Sequence, residues 1–197
     1  MKNIFKLFFP FLLIIIFAFT TSCSTNSNMK PEDFKNKEPR LIIEEYLSGN
    51  VKAWGILQNR SGKVTRQFTA DLNGKWDGTQ LILDEKFNWD DGEIQTRQWK
   101  INKIDEHNYE GTAGDVVGKA KGYSYGPAFK FEYVLLVPVK GKEIKITFDD
   151  WIFKQDDKVA INRAVMTKFG FKVAVLTVFF VKDLYLILLI PFSTILK

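Results

Sequence analysis

Short apolar runs of period two, separated by regular turn signals, are the feature that most constrains the fold of this chain. From Val51 to Lys182, β-branched and aromatic residues recur at alternate positions, as expected for strands with one buried face. The breaks carry the Gly, Asn and Asp residues typical of tight hairpins. They lie at Arg60-Ser61-Gly62, Asn73-Gly74, Asp90-Asp91-Gly92, Gly122, Lys140-Gly141 and Asp156-Asp157. The spacing predicts an all-β antiparallel meander of about eight or nine strands.

A meander of this size closes naturally into a small barrel, whose interior holds side chains or one small ligand. We therefore expect one β-barrel domain over residues 41–182, with a β-sandwich as the alternative. Aromatic residues make up 15% of the chain, which is enough to fill a core. Before the first strand, Leu41 to Leu47 predict a short helix that ends at the turn Ser48-Gly49-Asn50.

Residues 1–22 have the pattern of an export signal. Lys2 and Lys6 precede an apolar run from Leu7 to Phe19, which is too short for a membrane span of about 20 residues. The small residues Thr20 to Ser22 then precede Cys23, and this arrangement resembles the lipobox of bacterial lipoproteins, although Thr20 departs from the usual leucine. The pattern predicts a lipoprotein signal peptide followed by acylated Cys23 as a lipid anchor, with palmitate among the expected acyl chains. An ordinary secretory signal with an incidental cysteine is the alternative.

Ser24 follows Cys23 at the position where an aspartate would signal retention at the inner membrane. We therefore expect the outer membrane of a Gram-negative bacterium, with the domain facing the periplasm. Residues 23–40, with the acylated cysteine, are rich in Ser, Asn, Lys, Glu and Pro and predict a flexible tether. Residues 183–197 form a second apolar segment, interrupted by Pro191. An added edge strand, an interfacial segment and a terminus without a selected role all remain open for it.

Charge and residue counts exclude several classes of function. After removal of Lys2 and Lys6 with the signal, 26 basic and 23 acidic residues leave a net charge of +3, too weak for a nucleic-acid protein. Cys23 and His107 are the only residues of their types, so no internal disulfide and no usual zinc site is expected. The acidic doublets lack the alternating ligands of a calcium loop. We expect no metal, no cofactor and a monomer.

Alternation along the Asp90-Asp91-Gly92 hairpin brings two opposite charges onto one apolar face. Glu85 shares its face with Leu81, Leu83, Phe87 and Trp89, and Arg97 shares its face with Trp99 and Ile101. A three-residue loop with Gly92 in the left-handed region pairs residues whose numbers sum to 182. Glu85 is therefore predicted to lie directly opposite Arg97, with both side chains inside the barrel.

The hairpin at Asp156-Asp157 repeats this pattern. Asp150 interrupts an apolar face, and Arg163 interrupts the facing one. A two-residue turn would pair Asp150 with Arg163 and Ile152 with Ile161. Arg66, between Val64 and Phe68, is a third charge on an apolar face.

Opposite charges kept inside a barrel have two explanations, because an unpaired buried charge costs several kcal/mol. They are either fixed ion pairs that set strand register, or the polar end of a site for an amphipathic ligand. On the second explanation, the candidate ligand-binding residues are Arg66, Glu85, Arg97, Trp99, Asp150 and Arg163. No catalytic residue is assigned.

Four segments carry a family resemblance: KAWGILQNRSGKVTRQFTADLNGKWDG, LDEKFNWDDGEIQTRQWKI, YEGTAGDVVGKAKG and FDDWIFKQDDKVAINRAVMTKFGFKVAVLTVFFVK. Together they resemble the bacterial lipoproteins grouped as domain-of-unknown-function family 3833, over about Tyr46 to Lys182. Beyond Lys182 the chain departs from that family. The resemblance implies an envelope lipoprotein with a lipocalin-like barrel and implies no activity. The lipocalin Gly-x-Trp signature is absent, since Lys52-Ala53 precede Trp54.

The preferred function is non-enzymatic: a membrane-anchored envelope protein that binds or carries an apolar or amphipathic small molecule. The alternative is a structural or interaction lipoprotein whose barrel is filled. A carboxylate-dependent enzyme is the third candidate. It has no G-x-S-x-G motif and no histidine other than His107 to support it.

Overall fold

A computed structural model describes residues 29–139 and 141–182 of the chain. The predicted signal peptide, Cys23 and the apolar segment 183–197 lie outside the described residues. A short 3-10 helix spans Pro31–Phe34, and α1 spans Ile43–Tyr46. The strands are β1 Gly49–Asn59, β2 Val64–Trp76, β3 Gln80–Trp89, β4 Ile94–Lys103, β5 Asn108–Thr112, β6 Ala120–Tyr125, β7 Ala128–Val139, β8 Lys142–Lys154, β9 Val159–Lys168 and β10 Phe171–Lys182. Within the described part of the chain, neither helix is long and apolar enough to span a membrane.

All ten of these strands form one closed antiparallel barrel, in which β10 returns to pair with β1. The predicted all-β meander is confirmed and the sandwich alternative is wrong. The strand number is ten rather than eight or nine. The difference lies in β5 and β6, which are only five and six residues long and contain glycines where the alternation is weak. The short helix expected within residues 41–47 is present as α1.

Apolar side chains of the inward faces fill the half of the barrel that lies nearer the turn at residues 126–127. Trp99, Phe129, Phe131 and Tyr133 form a chain of ring contacts with centroids 5.1 to 5.5 Å apart. Each of these four residues is buried. Small residues share the inward faces with these large ones, since Ala53, Ala70, Ala120, Ala160 and Ala164 are also buried. Alternating large and small residues let a narrow barrel pack without clashes.

One end of the barrel, which we call the closed end, contains the turns at residues 77–79, 104–107, 126–127 and 155–158. Residues 41–47 cover it: the Glu44 carboxylate accepts bonds from Lys103 Nζ at 2.5 Å and from the Tyr109 hydroxyl at 2.9 Å. The Tyr46 hydroxyl donates to the Lys158 carbonyl at 2.9 Å. Gly74 admits the cap, since a Cβ there would lie 2.0 Å from the Leu47 carbonyl oxygen.

Residues 30–40 do not form the flexible tether that their composition predicted. The Phe34 ring packs on the outer face of β8, with its centroid 6.0 Å from Trp151 and 5.4 Å from Phe153. The Leu41 amide donates to the Gly126 carbonyl at 2.8 Å. Trp151 and Phe153 point outward and form an apolar surface, which Phe34 covers. Composition alone does not predict this contact. The rest of the predicted tether, residues 23–28, lies outside the described residues.

The other end, which we call the mouth, contains the turns at residues 60–63, 90–93, 113–119 and 169–170. Here the barrel wall is incomplete: β4 pairs with β5 only through Lys100–Lys103. Among the described residues, the upper half of β4, Ile94 to Trp99, pairs with β3 alone. The segment 113–119 lies along β7 instead, where the Val117 amide donates to the Val134 carbonyl at 2.8 Å. A side opening therefore lies between β4 and this segment.

Candidate functional site

A cavity of about 900 Å³ enters the barrel from the mouth and the side opening. A smaller one of about 100 Å³ lies beneath it, among the inward side chains. Phe68, Phe87, Arg97, Tyr133 and Leu176 line both, so the two are successive parts of one interior. The apolar side chains that line the larger cavity are Leu57, Phe68, Phe87, Trp89, Tyr133, Leu135, Val137, Phe148, Met166 and Leu176. Its polar and charged lining residues include Arg66, Glu93, Gln95, Arg97, Lys100, Asp115 and Glu143.

The first predicted pair, Glu85 and Arg97, is placed inside the barrel as expected. The register joins Glu85 with Arg97 across β3 and β4, and Gly92 has a φ of 87°, which confirms the three-residue loop and its pairing. Arg97 Nη1 lies 3.7 Å from Glu85 Oε2. This is an ion-pair distance but too long for a good hydrogen bond. Both side chains are nearly buried, at 13% and 12% exposed.

The closer partner of Arg97 is Asp115, to which the sequence analysis gave no role. Arg97 Nε lies 3.0 Å from Oδ1 and Arg97 Nη2 lies 2.7 Å from Oδ2, a two-point contact. Because Asp115 belongs to the segment beside β7, this contact spans the side opening. The sequence signal was weak, since Asp115 lies among Gly111, Gly114 and Gly118, where strand alternation gives no facing partner.

Glu85 is left with an unsatisfied carboxylate oxygen. Its Oε2 atom is buried and has no hydrogen-bond partner among the described residues. Burial raises the pKa of Glu85 to about 7; Arg97 and a hydrogen bond from the Trp99 side chain oppose the rise, and Asp150 and Asp115 add to it. A nearby arginine would ordinarily keep a carboxyl ionised well below that pH. Here the guanidinium is shared with Asp115, so its effect on Glu85 is incomplete.

The predicted Asp150–Arg163 pair is wrong. Asp150 lies opposite Ala164, and Trp151 lies opposite Arg163, so Arg163 points out of the barrel. The expected pairing of Ile152 with Ile161 is also off by one, since Ile152 lies opposite Asn162.

A different turn explains the shift. The Gln155 amide bonds to the Val159 carbonyl at 2.8 Å, which leaves three residues, Asp156, Asp157 and Lys158, in the loop. The Asp156 carboxylate then accepts from the Lys158 and Val159 amides, at 2.8 and 2.7 Å. One extra loop residue shifts the register of β9 by one, so each β9 side chain points to the side of the sheet opposite to the predicted one.

Asp150 itself does point inward and is satisfied by neutral groups. The Tyr133 hydroxyl donates to Oδ2 at 2.8 Å, and the Asn162 side-chain amide donates to Oδ1. Burial raises the pKa of Asp150 to about 6, although these two hydrogen bonds act in the opposite direction. The pKa of Tyr133 is also well above its usual value, chiefly because of burial and then because of the Asp150 charge. Sequence reasoning missed Tyr133 and Asn162, since neither is charged.

Arg66 lies at the mouth, on the inward face as predicted. Its Nη2 contacts Asp91 Oδ1 at 2.8 Å and Glu93 Oε2 at 2.9 Å, and its guanidinium carbon lies 4.0 Å from the centre of the Trp89 ring. Trp99 lies deeper, 5% exposed, against Phe131 and Tyr133. Of the six candidate ligand-binding residues, five therefore line the interior and Arg163 does not.

The interior polar groups suit binding of a small molecule by charge and hydrogen bonds. In the described residues, no three His, Cys, Asp or Glu side chains are arranged to hold a metal ion. His107 is at the closed end, stacked on Tyr125 with ring centroids 4.1 Å apart, and its Nδ1 lies 2.8 Å from the Ser124 carbonyl oxygen.

Comparison with protein families found one match. The model of the family described as "Protein of unknown function (DUF3833)" matches residues 17–182. A search of curated proteins found no match to the chain.

Solved structures that resemble the barrel include the following two. One is a protein of unknown function from the DUF3598 family of Nostoc punctiforme, with a TM-score of 0.55 and 14% identity over 74% of this chain and 51% of that one. The chain thus spans about half the length of that protein. The other is the S-type phycobiliprotein lyase of Guillardia theta, with a TM-score of 0.54 and 10% identity over 79% of this chain and 94% of that one. The fold is accordingly a lipocalin-like barrel.

Replacing Glu85 with Gln should remove a pH-dependent loss of stability. The pKa of about 7 in the folded chain exceeds the usual 4.5, so the folded state binds this proton more tightly than the unfolded chain does. The stabilisation is therefore complete below about pH 4.5 and is lost as the pH rises through 7. At about 1.4 kcal/mol per pKa unit, the free energy of unfolding of the unmodified chain, relative to Glu85→Gln, should fall by roughly 3 kcal/mol over this range.

Urea unfolding at a series of pH values measures this difference. Asp84→Asn is the matched control, because Asp84 neighbours Glu85 but points outward, where it accepts a bond from Gln98 Nε2 at 2.7 Å. It should not reproduce the effect. A difference between the unmodified chain and Glu85→Gln that stays constant with pH would contradict the assigned environment.

Proposed function

This chain belongs to the DUF3833 family, and we propose that it is a membrane-anchored envelope lipoprotein whose barrel binds an apolar or amphipathic small molecule without catalysing a reaction. The observation that carries the proposal is the cavity of about 900 Å³ at the mouth and side opening, which continues inward into a space of about 100 Å³. Ligand pockets of proteins fall in the range of about 300 to 1,000 Å³ and combine apolar walls with polar groups. The outer cavity has a volume in this range, and its lining combines aromatic and aliphatic side chains with charged ones such as Arg66, Arg97 and Asp115.

The positions of the polar groups support binding rather than catalysis. The only histidine of the sequence, His107, lies at the closed end and away from the cavity. The interior carboxyls are each adjacent to an arginine or to neutral hydrogen-bond donors, without a serine or cysteine nucleophile among the residues that line the described cavities. The phycobiliprotein lyase supports the fold of the binding module, and the activity in its name is not carried over to this chain.

Anchoring through acylated Cys23 rests on the sequence. The basic start, the apolar run and the small residues before Cys23 support export and acylation, and the family match includes this cysteine. Met29 is six residue steps from Cys23, which at about 3.5 Å per step places the start of the described domain within roughly 20 Å of the lipid surface. We place the protein at the outer membrane, facing the periplasm. It acts as a monomer there, because barrel closure pairs most strand edges.

An interaction lipoprotein is the second candidate, and one surface feature favours it. Trp54, Phe179 and Ile161 lie side by side on the outer faces of β1, β10 and β9, where the register pairs each with the next. They are 38%, 43% and 38% exposed. A row of exposed apolar side chains is a common feature of protein contact surfaces. In this alternative the cavity would have no ligand.

Binding in the interior is tested with the neutral fluorescent probe N-phenyl-1-naphthylamine and two tryptophan substitutions in β10. Leu176 lines both cavities, whereas the next residue, Thr177, lines only a groove on the outer surface. We expect saturable binding of one probe, weakened about tenfold or more by Leu176→Trp because the added ring fills the cavity, and unchanged by Thr177→Trp. Absence of saturable binding, or equal affinity of both variants, would contradict the binding function.

The lipid anchor is tested separately. Cys23→Ala should abolish incorporation of radiolabelled palmitate and move the protein from the membrane fraction to the soluble fraction, because the acyl chains supply the membrane affinity. The barrel should remain folded, as judged by its urea midpoint. A Cys23→Ala variant that stays in the membrane fraction would show that another segment holds the protein there.

A further inference from the structure

The two interior arginines of the cavity are already matched by carboxylates. Arg97 makes a two-point contact with Asp115 and lies 3.7 Å from Glu85. Arg66 contacts both Asp91 and Glu93. An anionic head group entering the cavity would have to displace one of these carboxylates. The cavity is therefore poorly suited to a carboxylate or phosphate ligand.

One donor at the mouth does not change this conclusion. The Nε of Arg66 is buried and has no hydrogen-bond partner among the described residues. The guanidinium lies over the Trp89 ring, and the two carboxylates that contact Arg66 exceed its single charge. An anion here would meet more negative than positive charge.

The deeper part of the interior has an excess of acceptors. Two carboxyl groups, Glu85 and Asp150, line the inner cavity with one guanidinium, that of Arg97, which Asp115 contacts from the outer cavity. Asp115 is paired with Arg97, and Asp150 is bonded by Tyr133 and Asn162. Glu85 has a buried oxygen without a hydrogen-bond partner. A buried acceptor that no donor satisfies costs about 1–3 kcal/mol, so a ligand donor at this point is favoured.

The position of Glu85 sets the orientation of such a ligand. Glu85 lines the inner cavity, and Trp89 at the mouth is four residue steps further along β3. At about 3.3 Å per residue this is a depth of at most roughly 13 Å. The walls between are Phe68, Phe87 and Leu176. An amphiphile whose polar end reaches Glu85 must therefore enter head first, with its alkyl chain toward the mouth.

We infer that the cavity binds a long-chain primary amine, whose ammonium group enters first and donates hydrogen bonds to Glu85 while its alkyl chain lies along Phe68, Phe87 and Leu176. This inference rests on the proposed binding function and specifies its ligand class. An ammonium group supplies both of the things that the inner cavity lacks, a donor for the Glu85 oxygen and a positive charge to balance the excess of carboxylates.

The inference is tested by competition against N-phenyl-1-naphthylamine with three probes of equal chain length. Dodecylamine, dodecan-1-ol and dodecanoic acid are titrated below their critical micelle concentrations. Dodecylamine should bind at least tenfold more tightly than either of the others. Glu85→Gln should weaken dodecylamine about tenfold or more and leave dodecan-1-ol unchanged, since Gln keeps the shape of the side chain and loses its charge. Asp84→Asn, which removes the neighbouring outward carboxylate, should change neither.

The outcomes separate this inference from the function on which it rests. If dodecanoic acid or dodecan-1-ol binds as tightly as dodecylamine, or if Glu85→Gln leaves the preference intact, the ammonium assignment is overturned while the binding function stands. If the naphthylamine probe and all three amphiphiles fail to bind, the binding function itself fails. The ranking of the three probes on the unmodified chain decides the inference even if Glu85→Gln does not fold.

Discussion

The contact between Arg97 and Asp115 controls both the shape and the chemistry of this barrel. The upper half of β4 does not pair with β5, so backbone hydrogen bonds do not close the wall at that place. The two-point contact, at 2.7 to 3.1 Å, instead joins β4 to the segment beside β7. A buried ion pair of this kind contributes little net stability, because the desolvation of both charges offsets their attraction. Its effect is on geometry: the side opening is spanned, and Arg97 is turned away from full contact with Glu85.

Two carboxylates inside the same barrel show what this arrangement changes. At the closed end, burial tends to raise the pKa of Glu44, but bonds from Lys103 and Tyr109 hold it below the usual value. In the inner cavity, burial raises the pKa of Glu85 to about 7, and the shared Arg97 does not reverse the shift. Glu44 is thus fully satisfied by the protein and holds the cap in place. Glu85 has one oxygen, Oε2, without a hydrogen-bond partner among the described residues and lines a cavity, a combination typical of groups that meet a ligand.

Much of the fold was predictable from the sequence, because local turn chemistry and alternation act together. The Asp90-Asp91-Gly92 loop contains a glycine that fixes its left-handed position, and the register of Glu85 with Arg97 followed from it. The Asp156-Asp157 loop has no glycine, so its length was ambiguous by one residue. On β9, the inward residues Ala160 and Ala164 are small, so the apolar pattern did not identify the buried face. The larger apolar residue Ile161 was assigned to that face, but it points outward and is 38% exposed. Asp115 could not be assigned a partner, because a loop residue has no strand register.

Asp115 occupies Arg97 and thereby leaves Glu85 with a raised pKa in the cavity. Titration of the Glu85 side-chain carboxyl carbon by NMR, in the unmodified chain and in Asp115→Ala, tests this arrangement. We predict a pKa of about 7 in the unmodified chain. We predict a lower value in Asp115→Ala, because the substitution removes a like charge and frees Arg97 to pair with Glu85. A Glu85 pKa near 4.5, the same in both proteins, would contradict it.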